Sequence, residues 1–218
     1  MDAFFDQPVF SLDTLRSHAS SARITSLRSL YWKVFLEYFP NLEFETWTVI
    51  LQNERNGYDQ LRQKFIVDPA KESKRAAADL TLNNPLSLDE ESPWTMYFQD
   101  AELQKTIRQD VERTIPDQSF FRDSSVQEMM TDILFIWCKL NPSISYRQGM
   151  HELLAPIIHV IETDKIESSL SVAPSHEIAL KVFDAKFVEH DSFALFDRVM
   201  RTAKLWFEVG QDGEKIIQ

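Results

Sequence analysis

Apolar residues recur along this chain at helical spacing. Between Ser26 and Phe39, the positions Leu27, Leu30, Tyr31, Val34, Phe35 and Tyr38 form an i, i+3, i+4, i+7 stripe, which predicts an amphipathic helix with one buried face. Pro40 is expected to end it, because the residue before a proline is pushed away from helical backbone angles. A second helical stretch covers 44–66 and is weakened at Asn56-Gly57, where two poor helix formers meet. The next helix, Asp100–Thr114, turns Leu103, Ile107 and Val111 to one side, with Pro116 beyond its end. Ser124 and Gln127 have capping-box spacing for a helix through Leu140 that buries Val126, Met129, Met130, Ile133, Leu134 and Trp137. Asn141-Pro142 stop it. After the loop SISYRQG, helices are expected over 148–162, 176–189 and 192–208, the last capped by Asp191 and closed by Gly210.

Between these elements the character changes. Residues 1–25 read as an arm with a short helix beginning at Ser11 and a polar stretch after it. A loop insertion lies near 68–93, where PAKESKRAAAD is charged and TLNNPLSLDEESP is rich in turn formers. Loops of that length in compact domains are usually functional or disordered. Ser92 before Pro93 has the pattern of an N-cap followed by proline at the first helical position. Residues 210–218 read as an open linker or tail. Without repeats or sustained heptads, the pattern predicts an all-α protein.

Composition adjusts that picture in a few respects. Only 4 Gly and little β-branched alternation argue against a sandwich or barrel, while 16 Phe and 5 Trp predict an aromatic-rich core. A formal charge of −11 disfavours nucleic acid as a partner, since no basic surplus is available to neutralise phosphates. The lone Cys138 cannot make an internal disulfide, which points to a reducing compartment. The opening MDAFFDQPVF lacks a basic n-region, and no uncharged run approaches the ~18 residues of a membrane span. A cytoplasmic protein is expected, with no direct membrane insertion.

Two polar clusters interrupt the apolar stripes. In Ile107-Arg108-Gln109-Asp110-Val111-Glu112-Arg113, Asp110 and Arg113 are three apart and share a helix face. Arg113 falls at the helix end, where its guanidinium can project. From spacing alone, this is what a surface ion pair favoured by the helix dipole looks like. In Tyr146-Arg147-Gln148-Gly149-Met150 a neutral amide stands beside a glycine at a helix start, which is also what an ordinary helix entry contains. His151-Glu152 is not a zincin pair, because Ala155 stands where a second His is needed. His159 is expected to be core or cap. No metal site, GxSxG, GxxxxGK[ST] or CxxC is present.

Taken together, I-x-x-D-x-x-R (Ile107, Asp110, Arg113) followed by Y-x-Q-G-M (Tyr146, Gln148, Gly149, Met150) resembles the paired signature of TBC-domain Rab GTPase-activating proteins. Arg28-x-x-x-Trp32 is similar to the opening R-x-x-x-W motif of that family, and Gln148 follows Arg113 by 35 positions, in the expected order. The stretches NNPLSLDEESPW, QGMHELLAPI and EHDSFALF look most like the branch linked to retromer and the late-endosomal Rab. The resemblance covers about 26–209 and implies a multi-helix orthogonal array, the N-terminal half of a TBC domain.

That resemblance implies a GTPase activator whose catalytic residues are an arginine finger, Arg113, and a glutamine finger, Gln148. Asp110, Tyr146 and Gly149 would support them, and Arg28, Trp32 and Ile107 would be structural. It implies no cofactor of its own, since GTP and Mg2+ belong to the partner Rab, and recruitment to endosomal membranes through partners. Asn84, Pro85 and Leu86 form a candidate retromer-binding turn, or simply a turn. Because TBC domains have two helical halves, a noncatalytic Rab- or retromer-binding module is the alternative.

Overall fold

The computed structural model describes residues 12–21, 27–66, 93–166 and 177–207. Its α-helices are α1 (Leu12–Ser21), α2 (Arg28–Phe35), α3 (Phe44–Phe65), α4 (Pro93–Val111), α5 (Ser124–Leu140), α6 (Met150–Asp164), α7 (Glu177–Val182) and α8 (Val188–Phe207). Short 3-10 turns cover Ser119–Arg122 and Ala185–Phe187. Among the described residues the only β-type pairing is an isolated bridge between Ile166 and Asp184. The fold is all-α, as the apolar spacing predicts. The candidate turn Asn84-Pro85-Leu86 lies outside the described residues, as do Gly210 and the segment 210–218.

The chain divides into two compact units, one from residues 1–59 and 153–218, the other from 60–152. In the first, Leu30, Tyr31 and Val34 of α2 are buried, along with Tyr38, Phe39, Trp47 and Tyr58. Phe39 stacks on Trp47 with ring centroids 4.0 Å apart. This unit also buries a charge cluster that apolar spacing gives no hint of. Asp191 accepts from Lys33 Nζ at 2.7 Å, from Arg55 Nε and Nη2 at 3.0 and 2.9 Å, and from the Tyr38 hydroxyl at 3.1 Å. Lys33, Arg55 and Asp191 are all buried, so each ion depends on the others for the solvation it has lost. Lys33 also donates to the Val182 carbonyl at 2.6 Å.

Asp191 does not cap α8, which begins at Val188; it lies in the first turn as the buried anion of this cluster. Helix α2 ends at Phe35 rather than at Phe39, before Pro40 can act. Glu37 adopts a left-handed φ of 58°, its N–H bonds to the Val34 carbonyl, and the Tyr38 N–H reaches back to Lys33. That is a Schellman closure, with Glu37 in the position glycine usually fills. Phe35, assigned to the apolar stripe, is exposed. Helix α3 runs unbroken through Asn56-Gly57, because Leu51, Arg55 and Tyr58 anchor a common buried face. The region expected as a helix over 176–189 is α7, then the turn Ala185–Phe187, then the start of α8.

In the second unit, α4 packs against α5. Ile107 and Val111 of α4 and Met130, Ile133, Leu134 and Trp137 of α5 are buried, while Met129 is only half-buried. Lys139 near the end of α5 pairs with Asp100 of α4 at 2.7 Å. Asp123, not Ser124, is the N-cap of α5: its carboxylate accepts from the Ser125 N–H at 2.8 Å. Gln127 turns away from a capping box and donates to the Phe121 carbonyl. Helix α4 starts at Pro93, the residue expected at a first helical position, runs without a break into the helix expected from Asp100, and ends at Val111 rather than Thr114.

Candidate functional site

The end of α4 builds the first half of the site. The N–H groups of Arg113 and Thr114 bond to the carbonyls of Asp110 and Val111, three positions back, so the last turn tightens towards 3-10 geometry. Beyond it Ile115 has a positive φ of 38°. This bend leaves the Arg113 side chain 72% exposed. Two contacts nonetheless tie it down: Nε donates to the Gln109 carbonyl at 3.0 Å, and Nη2 donates to Oδ1 of Asp110 at 2.6 Å. Nη1 takes no partner among the described residues.

The second half is the loop leading into α6. Asn141 accepts the N–H groups of Ile144 and Ser145, and Ser145 then takes a left-handed φ of 55°. Gly149 has φ 97°, a region where a side chain is strained. Between these two reversals stand Tyr146, Arg147 and Gln148. Met150 is fully buried and anchors the loop, with its sulfur accepting from the Arg147 N–H at 3.4 Å. Gln148 and Arg147 are exposed and Tyr146 is half-buried.

Asp110 connects the halves. One carboxylate oxygen takes Arg113; the other accepts from the Tyr146 hydroxyl at 3.0 Å, across 36 positions of sequence. Tyr146 in turn lies 3.0 Å from Nδ1 of His151. Burial, then the hydrogen bond to Asp110 and its negative charge, push the Tyr146 phenol pKa up, so it stays protonated. Burial lowers the His151 imidazole pKa against the opposing pull of Asp110 and Glu152. His151 belongs to this cluster, although its spacing carries no recognisable motif. The one sequence signal for it is adjacency to Gly149-Met150. His159, expected as core or cap, is exposed instead.

Of the remaining candidates, Ile107 is buried beneath the α4 end. Arg28 is exposed and Trp32 half-buried, both on α2 in the other unit. Among the described residues no His, Cys, Asp and Glu cluster could hold a metal ion, and no helix is long and apolar enough to cross a membrane.

The Rab-GTPase-TBC domain model matches residues 25–212. The chain belongs to that family. It is 38% identical over 210 residues to TBC1 domain family member 5 of Homo sapiens, covering 94% of this chain and 26% of that protein. It is 34% identical to TBC1 domain family member 5 homolog B of Dictyostelium discoideum, covering 90% of this chain and 19% of that one. The TBC chain thus spans about a quarter or less of the length of these relatives. Among solved structures, the Ypt/Rab-GAP domain of Gyp1p aligns with TM-score 0.64 and 18% identity, covering 97% of this chain and 58% of that domain. That likeness supports the TBC fold alone.

Proposed function

We propose that this TBC chain accelerates GTP hydrolysis by a Rab GTPase, inserting Arg113 and Gln148 into the nucleotide site of its partner. A transferring phosphoryl group needs its charge stabilised and an attacking water held in line. An arginine supplied from outside is worth roughly 10³–10⁵ in rate, or about 4–7 kcal/mol at 1.36 kcal/mol per decade. Arg113 offers a planar fork able to span two phosphate oxygens. Gln148 offers both a carbonyl acceptor for the water and an amide donor. GTP and Mg2+ in this reaction are the partner's, and the chain contributes no cofactor.

The observation that supports this reading is a guanidinium that is open to solvent yet pinned by a buried carboxylate. The same carboxylate also holds the tyrosine two positions before Gln148. An ordinary surface ion pair has no need of that second attachment. Single-turnover hydrolysis across a panel of Rab·GTP complexes tests it: Arg113→Lys and Gln148→Ala should each remove most of the stimulation. A wild-type chain that binds Rab·GTP without speeding hydrolysis would instead mark a noncatalytic binding module.

The likeness of NNPLSLDEESPW, QGMHELLAPI and EHDSFALF to one TBC branch favours a late-endosomal Rab, recruitment from the cytoplasm to endosomes and a retromer contact. Leu86 would be the apolar anchor of that contact, with Asn84 and Pro85 shaping the turn. Leu86→Asp should abolish retromer pull-down and leave GTP hydrolysis untouched.

A further inference from the structure

The Tyr146 hydroxyl has one proton and two neighbours that could take it. Oδ2 of Asp110 and Nδ1 of His151 both lie at 3.0 Å. If the proton pointed to His151, the phenolic oxygen would face the carboxylate with lone pairs on both sides, and a carboxylate paired with Arg113 has no proton to offer. If it points to Asp110, the short contact to His151 requires a hydrogen on Nδ1 instead. The other ring nitrogen makes no competing claim, because Nε2 is 3.9 Å from Oε1 of the exposed Glu152, beyond hydrogen-bond range. Nor can Nδ1 bypass the tyrosine, being 3.9 Å from Oδ2 of Asp110. Proton counting therefore selects one tautomer.

We infer that His151 is a positioning residue for Arg113: as the Nδ1–H tautomer it donates to Tyr146, directs the Tyr146 proton onto Asp110, and so fixes the carboxylate that holds the guanidinium. The relay runs His151 to Tyr146 to Asp110, with each donor's proton committed in one direction and Arg113 bonded to the free oxygen. Burial keeps the ring neutral near pH 7, faced by Asp110 and Glu152 on the anionic side and Arg113 on the cationic side. A neutral imidazole carries a single ring proton, so the tautomer is a choice with structural consequences. The link from this relay to hydrolysis rests on the function proposed above; the relay itself does not.

The decisive measurement is long-range 15N–1H NMR of the His151 ring in the full wild-type chain at pH 7.5. An N–H at Nδ1 and a bare Nε2 are expected, and the opposite pattern would overturn the relay. Kinetics then test its effect, using the Rab·GTP that the wild-type chain stimulates most. His151→Ala should lower stimulation roughly 3- to 10-fold, the size of one lost hydrogen bond. The double variant with Tyr146→Phe should be no slower than Tyr146→Phe alone, because the relay is already cut. Losses that multiply would mean His151 acts by some other route. His151→Asn places an amide N–H near the Nδ1 position and should recover activity to within about twofold, whereas His151→Gln should not. Arg113→Ala separates the two ideas: if it leaves the rate unchanged, or if no Rab responds to the wild type, the activator reading fails and the ring tautomer alone decides the relay.

Discussion

Tyr146 donates its hydroxyl to Oδ2 of Asp110 at 3.0 Å, while Oδ1 of the same carboxylate receives Arg113 at 2.6 Å. Substituting Asp110→Asn keeps the shape but removes the charge that opposes the guanidinium. Hydrogen bonds to charged groups contribute about 1.5–3 kcal/mol, so stimulated hydrolysis should fall on the order of tenfold or more. Rab·GTP affinity should change less than the rate. An Asp110→Asn chain with wild-type turnover would show that Arg113 needs no tether.

The buried cluster of Asp191, Lys33 and Arg55 gives a stability prediction. Asp191→Asn leaves two interior cations without their anion, a loss on the order of 3–5 kcal/mol. Urea denaturation would measure it. The pH dependence has a definite sign. Against the cost of burial, Lys33 and Arg55 hold the folded-state pKa of Asp191 below its ordinary value. Its stabilisation is therefore complete above the ordinary carboxylate range and is lost as pH falls through that depressed pKa. Asp191→Asn should flatten that acid limb.

Two exchanges, one removing a glycine and one introducing a glycine, should both stabilise. A Cβ added at Gly57, inside α3, would meet nothing within 4 Å, so Gly57→Ala should gain about 0.5–1 kcal/mol from helix propensity. Glu37 holds a left-handed φ of 58° on the surface, where Glu37→Gly relieves strain and should gain several tenths to about 1 kcal/mol after the entropy cost. Thermal melts of each variant decide the matter; a lowered Tm for Gly57→Ala would contradict the open environment around it.

Cys138 is buried in α5, and loss of solvent pushes its thiol pKa up to about 12. Since the thiolate is the reactive form, a thiol reagent at pH 8 should label the native chain very slowly and the urea-unfolded chain quickly. Rapid labelling of the native protein would mean that α5 opens readily.

Where burial follows periodicity, the chain announced its own structure. The α5 stripe of Val126, Met130, Ile133, Leu134 and Trp137 is buried as its spacing predicts. Polar residues were harder to place, because their partners are remote. Lys33 lies 158 positions from Asp191, and Arg55 lies 136 from it. No local window can distinguish such an anion from a helix cap. The shift from Ser124 to Asp123 at the start of α5 has a milder cause, since adjacent residues were both competent caps. Motif order drew attention to Asp110, Arg113 and Tyr146, which the fold joins through one carboxylate. His151 enters the sequence reading only as half of a failed zincin pair, because its part depends on a hydroxyl five residues away rather than on any spacing of its own type.

The shared carboxylate of Asp110 also limits what could be transplanted. A helix end carrying Arg113 grafted onto another scaffold would arrive with only one of the two anchors that its aspartate uses here. Loosened from Tyr146, that carboxylate could swing, and the guanidinium would keep only its bond to the Gln109 carbonyl as a fixed point. The smallest portable unit is thus an assembly of distant chain segments, and a designer copying the short arginine motif by itself would inherit the charge without its aim.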